Sequence, residues 1–267
     1  MRAALALGAG TAAVALYGAQ VPTAQLYGPT IHRFPAARGR LALTFDDGPN
    51  PRETPRLLDL LDAYEAKATF FLIGRWAARD PELVREIALR GHAIGNHTYT
   101  HPTMPLHGAG MLRDDLARCR WAVERAGVRF SEVDGAMLMR PPYGRRRPGT
   151  LRLLAEEGYV PVTWSVTAYD WRGWETAARI SRRCVGARDG DLILLHDGSD
   201  RDQLHDRSRS LAAARAALEH HTARGSRFVT VPELASLLVR PSRVVSGHAP
   251  DRRDRRRPAH PRRARTG

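Results

Sequence analysis

The chain has 267 residues, 43% of them hydrophobic, and carries a formal charge of +14. That is enough apolar material for one large α/β domain with a real core, and no long linker divides the middle into two. Only two cysteines occur, Cys119 and Cys184, which excludes a disulfide scaffold and a cysteine-built zinc site.

The N-terminus starts with Met1-Arg2 and continues in an Ala-rich apolar run from Ala3 to Ala19. This is the layout of a signal peptide or short membrane anchor, with Tyr17-Gly18-Ala19 offering small residues for cleavage before Gln20. The run is marginal for a full span of about 20 apolar residues, and the bland alternative is an apolar helix packed on the domain. Residues 1–38 are therefore expected to be a leader or anchor plus linker. The protein is expected to act in the cell envelope or outside the cell.

From Arg40 the chain alternates strand-like and helix-like pieces across one domain, 39–240. Leu41, Leu43 and Phe45 alternate with Ala42 and Thr44, the pattern of a short buried strand that ends in Asp46, Asp47 and a Gly-Pro breaker. Adjacent carboxylates on an extended chain point to opposite sides, so one is free to bind a metal while the other handles a proton. A plain Asp-Gly-Pro turn is the alternative. Pro55 to Ala66 reads as an amphipathic helix with Thr54 as its cap and Pro55 in its first turn, and Ala68 to Ile73 as a buried strand. Asp80-Pro81 opens a helix that Gly91 stops, His92 to Gly95 is a short strand, and a longer helix runs from Gly110 to Ala126. Later strands are expected at Met137 to Arg140, Tyr159 to Val166, Asp191 to Leu195 and Arg227 to Val231, separated by helices near 150–157, 175–185, 211–222 and 232–238. The last 27 residues, Pro241 to Gly267, hold nine arginines against two aspartates. They read as a disordered basic tail, 241–267, suited to anionic surfaces such as phospholipid or envelope polymers and to no specific nucleic acid.

Such alternation implies parallel strands with crossover helices, and about seven units close into a distorted (β/α) barrel, an open doubly wound sheet being the competitor. Asp46-Asp47, Asn96-His97, Arg140, Asp170 and His196 all follow strand-like runs, and in a barrel those positions share one face. His97 and His101, four residues apart, can converge on one metal, with Asp47 as a third ligand and positions left for water. An ordinary pair of hydrogen-bonded histidines is the alternative. Pro141-Pro142-Tyr143 is equally a rigid turn. Trp164, Trp171 and Trp174 suit either a sugar groove or the core. Arg145, Arg146 and Arg147 read first as a solvated charge run, with contact to an anionic polymer as the alternative.

Taken together, TFDDG (Thr44 to Gly48), HTYTHP (His97 to Pro102), RPPYG (Arg140 to Gly144), YDW (Tyr169 to Trp171) and LLHDG (Leu194 to Gly198) resemble the motif set of the polysaccharide deacetylase family, the NodB homology domain. The resemblance covers about Arg40 to Val239. It implies a distorted (β/α) barrel, one divalent metal and hydrolysis of N-acetyl groups on peptidoglycan or chitin-like polymers. It further implies that Asp47, His97 and His101 hold the metal, zinc first, with cobalt, nickel or iron as alternatives. Asp46 is then the general base, His196 the general acid supported by Asp170, and Arg140 the residue that holds Asp46. Tyr143 lends a backbone N–H to the oxyanion, Leu194 meets the acetyl methyl, and Trp171 lines the substrate groove. The family often carries another Asp three positions before the Asp of the DW motif, where this chain has Thr167. Two rival functions accompany the resemblance: O-deacetylation, as in acetylxylan esterases, and a silent wall-binding protein.

Overall fold

The computed structural model describes residues 13–237. The expected basic tail, 241–267, lies outside the described residues, as does most of the apolar N-terminal run, of which 13–20 are helical.

Strand β1 (Arg40–Asp46) is central, with β2 (Ala68–Leu72), β3 (Ala93–Asn96) and β5 (Ala136–Met139) following on one side. On the other side it pairs with β8 (Leu192–His196), which carries β7 (Val166–Thr167), while β6 (Tyr159–Pro161) extends the sheet beyond β5. All six of these pairings are parallel. A short β4 (Glu132–Val133) adds antiparallel to β5, and β9 (Arg227–Phe228) pairs with the start of β1. The segment before β1 closes this side of the barrel, Ile31 pairing with Val162 just after β6 and Arg33 with Asp191 just before β8. Seven parallel strands and this bridge make the expected distorted barrel.

The alternation along β1 divides two cores. Leu41, Leu43 and Phe45 face outward into a cluster with Leu58 and Leu61 of α1 (Thr54–Ala63) and Ala213, Ala217 and Leu218 of α7 (Ser208–Thr222). Ala42 faces inward with Phe71, Leu138, Trp164, Leu192 and Leu194. Each buried Leu or Phe among these contributes roughly 1.5–3 kcal/mol by leaving water, which commits the strand to one register and hence fixes where its last residue emerges. The helices α3 (Pro81–Leu89), α4 (Ala109–Arg125), α5 (Pro148–Glu156), α6 (Ala177–Val185) and α8 (Val231–Ser236) fall close to the expected positions, whereas the single turn α2 (Gly74–Ala77) was not expected. Cys119 on α4 and Cys184 on α6 are buried free thiols.

Three expectations need correction. Tyr159 to Val166 is not one strand but β6 and β7, because the Arg140 guanidinium takes the carbonyls of Val162 (3.3 Å) and Thr163 (3.0 Å) and draws the chain out of the ladder. Thr54 is not the cap of α1 but its first residue, and its hydroxyl donates instead to Asp197. Arg146 is not solvated: it is 1% exposed, and it donates to the carbonyls of Val21, Pro22 and Ala24, tying the N-terminal segment to the RPPYG loop.

Candidate active site

The register brings the polar strand ends level. Asp46 pairs with His196 across β1 and β8, Leu72 with Asn96 across β2 and β3, and Asn96 with Met139, the residue before Arg140. Asp46, Asp47, His97, Arg140 and Asp170 are all buried at this end of the barrel.

Asp46 and Asp47 do not point apart. Asp47 leaves the strand at φ 72°, in the left-handed region, and this swings its carboxylate back toward the ring that Asp46 also faces. His97 Nε2 lies 3.4 Å from Asp47 Oδ1 and 3.8 Å from Asp46 Oδ2. The chain can double back so tightly because Gly198 lies against the Asp47 carbonyl, where a Cβ would stand only 2.1 Å from the oxygen. What separates the two carboxylates is their partners. Asp46 Oδ1 accepts from Arg140 Nη1 at 2.7 Å, and the fully buried guanidinium also donates to Thr44 Oγ1 (2.8 Å) and lies 4.1 Å over the Phe71 ring. Asp47 Oδ1 is buried with no hydrogen-bond partner.

The HTYTHP loop is not a helical turn, since Thr98 and His101 both have positive φ, 65° and 60°. Asp115 of α4 braces it by accepting from Tyr99 N (2.8 Å), Thr100 N (3.2 Å) and Thr100 Oγ1 (2.9 Å). His97 Nδ1 donates to the Arg140 carbonyl at 2.8 Å, and because a carbonyl only accepts, the lone pair is left on Nε2, toward Asp47. His101 Nε2 lies 3.3 Å from Asp47 Oδ1, and its Nδ1 faces Asp200 Oδ2 at 3.6 Å.

The ligating atoms of Asp47, His97 and His101 all lie within 4.8 Å of one another. An orphaned carboxylate oxygen facing two imidazole nitrogens, one with its lone pair defined, is the donor set a divalent transition metal takes, so the residues fit the expected ion. Burial opposes charge on Asp47, but the positive charges of His101 and His196 outweigh it and hold the group well below the ordinary carboxylate range. Asp115→Ala is expected to weaken metal binding about 10- to 100-fold by releasing the His loop, measured by competition with a chelator. Unchanged affinity would show that the loop needs no such brace.

Across the site, His196 Nδ1 donates to Asp170 Oδ1 at 2.9 Å, and Asp170 Oδ2 accepts from His196 N and Ser210 Oγ, both at 2.7 Å. Burial works against the imidazolium, yet the charge and hydrogen bond of Asp170, helped by Asp47, raise His196 above its ordinary value. Thr167 does not reach this pair; its hydroxyl accepts from Trp164 Nε1 at 2.8 Å inside the barrel, and Ser210 supplies the extra contact to Asp170. Trp164 is therefore core. Trp171, whose ring lies 5.2 Å from that of His196, and Trp174 are exposed. Leu194 lies two residues before His196 on β8, in the barrel interior. Tyr143, at φ 59°, sets its ring edge on His101 at 4.7 Å and its hydroxyl toward Asp200 at 3.3 Å.

Sequence reasoning missed Thr44, Asp115, Asp197, Asp200 and Ser210. For Asp197, next to His196 in LLHDG, a signal existed. It is buried, and burial together with Asp47 and Asp46 pushes its carboxyl up to about 7 against the Thr54 hydrogen bond.

Comparison with known proteins decides the family. The polysaccharide deacetylase family model matches residues 35–162. A peptidoglycan-N-acetylglucosamine deacetylase of Bacillus cereus is 38% identical over 198 residues, covering 73% of this chain and 87% of that protein. The chain belongs to the polysaccharide deacetylase family. With it come the deacetylase hydrolase class and the barrel just described. Another member, a chitooligosaccharide deacetylase of Sinorhizobium fredii, is 37% identical over 176 residues, covering 66% of this chain and 80% of its own. Among solved structures, a peptidoglycan N-acetylglucosamine deacetylase superposes with a TM-score of 0.67 at 32% identity, covering 77% of this chain and 92% of the other.

Proposed function

We propose that this family member is a metal-dependent N-deacetylase of N-acetylglucosamine polymers, with a catalytic domain over 39–240 that works outside the cytoplasm. The observation that carries it is the opposition of two prepared groups at one barrel end: Asp46 held by Arg140, beside the Asp47, His97 and His101 set, and His196 held by Asp170 on the neighbouring strand. A divalent cation held by Asp47, His97 and His101, zinc first by its donor set, would polarise the acetamide carbonyl and acidify the attacking water.

The chain's own groups supply the rest. Asp46 Oδ2, the oxygen not engaged by Arg140, takes the water proton, while the Arg140 bond to Oδ1 keeps the carboxylate aimed. Negative charge developing on the carbonyl oxygen is met by the Tyr143 backbone N–H. An amine leaves poorly unless protonated, and His196 donates that proton from the other side. Leu194 receives the acetyl methyl, and Trp171 offers a flat face to the sugar.

Acetate release from a matched panel of N-acetylated and O-acetylated glycans tests this reading. Turnover of N-acetylated chains with O-acetylated chains much slower is the expected result. The reverse preference would make the protein an esterase, and release from neither would leave only a binding role. Among the described residues no helix is long and apolar enough to cross a membrane. Export rests instead on the layout of residues 1–19, and binding of anionic envelope surfaces on the tail, 241–267.

A further inference from the structure

Two arginines at the mouth of the site have no acidic partner among the described residues. Arg145 stacks on Tyr143, its Cζ 5.3 Å from the ring centroid, and that ring edges His101. Arg172 sits on the opposite flank between Tyr169 (4.1 Å) and Trp174 (5.6 Å). Tyr169 lies 5.4 Å from Trp171, which in turn contacts His196. One guanidinium is therefore a single ring removed from the metal ligand His101, and the other is linked through Tyr169 and Trp171 to the proposed acid. Of the nearby carboxylates, Glu175 pairs through Oε1 with Arg183 at 2.8 Å and lies beyond ion-pair distance of Arg172, and Asp200 faces His101 and the Tyr143 hydroxyl.

The Arg172 loop is also held ready. Arg209 Nη1 donates to the carbonyls of Arg172, Gly173 and Glu175, and Arg183 Nη1 to that of Ala168. A guanidinium stacked on aromatic rings is fixed in place while its edge stays free, and that edge matches a carboxylate in a two-pronged contact. A neutral glycan offers it only hydroxyl and amide groups.

We infer that Arg172 and Arg145 form a carboxylate subsite on either flank of the deacetylation centre. The substrate is then an N-acetylated glycan whose sugars adjoining the one attacked bear carboxylates on a lactyl group or on the stem peptide joined to it, as in a peptidoglycan strand, and not a neutral chitin-type chain. This inference rests on the deacetylase reading above.

The test compares kcat/KM for acetate release from a soluble peptidoglycan strand with free carboxylates and from the same strand after carboxyl amidation. The ratio of the two cancels any loss of folded enzyme in a variant. In the natural protein the charged strand is expected to be preferred, by about fivefold for each arginine engaged, and less so as salt rises. Arg172→Gln and Arg145→Gln should each lower the ratio about fivefold, the double variant should bring it near one, and Arg172→Lys should retain part of it. A ratio near one in the natural protein, or a ratio untouched by both Gln variants, overturns the subsite while leaving deacetylation standing. Release from neither strand, nor from a chitooligosaccharide, overturns the deacetylase reading itself.

Discussion

Asp46→Asn is expected to keep its metal and to lose on the order of a thousandfold in turnover of an N-acetylated glycan. The asparagine carbonyl can still accept from Arg140, so the buried guanidinium keeps a partner and the barrel end keeps its shape. What disappears is the carboxylate oxygen that faces His97 Nε2 from 3.8 Å and is free to accept a proton. His97→Ala removes a nitrogen of the ligand set, so metal content and turnover should fall together. Measuring both quantities on both variants separates the two aspartates. Metal loss in Asp46→Asn equal to that in His97→Ala would make Asp46 a ligand, and the division of roles would be wrong.

The second large effect is at His196. If it protonates the departing amine, His196→Ala should cost about 100- to 10,000-fold on an N-acetyl sugar. An activated ester, whose leaving group needs little protonation, should lose far less. Equal losses on the two substrates with metal content unchanged would remove leaving-group protonation from its role. The pH profile gives an independent readout. A general acid works only while protonated, so turnover declines as pH rises through the pKa of His196. Burial depresses that pKa, but Asp170 outweighs burial and places it above the ordinary value of about 6.5. Replacing Asp170 by Asn removes the charge that favours imidazolium, so the alkaline limb should move to lower pH. A limb that stays in place would mean another group titrates there.

Much of this was legible before any coordinates. The alternation at Leu41, Leu43 and Phe45 places a buried strand, and strand ends carrying Asp46, Asn96, Arg140 and His196 meet wherever parallel strands run in register. The side on which Asp47 points was not legible. Period-2 reasoning assumes an extended backbone, and one left-handed residue reverses the answer. Arg146 was misjudged for a related reason. A run of three arginines looks solvated until an independent segment, here Val21 to Ala24, supplies carbonyls that let the middle one be buried. The supporting shell was hidden by distance along the chain: Asp197 meets Thr54, and Ser210 meets Asp170, through contacts that no local spacing encodes.

The central claim is that hydrolysis depends on one cation held by Asp47, His97 and His101. Its most direct test removes metal with a chelator, verifies the removal by elemental analysis, and returns a divalent cation stepwise while acetate release from an N-acetylated glycan is followed. Metal-free protein should release negligible acetate, and recovery should saturate at about one equivalent of cation per chain. Full activity in protein verified to be free of metal would contradict it.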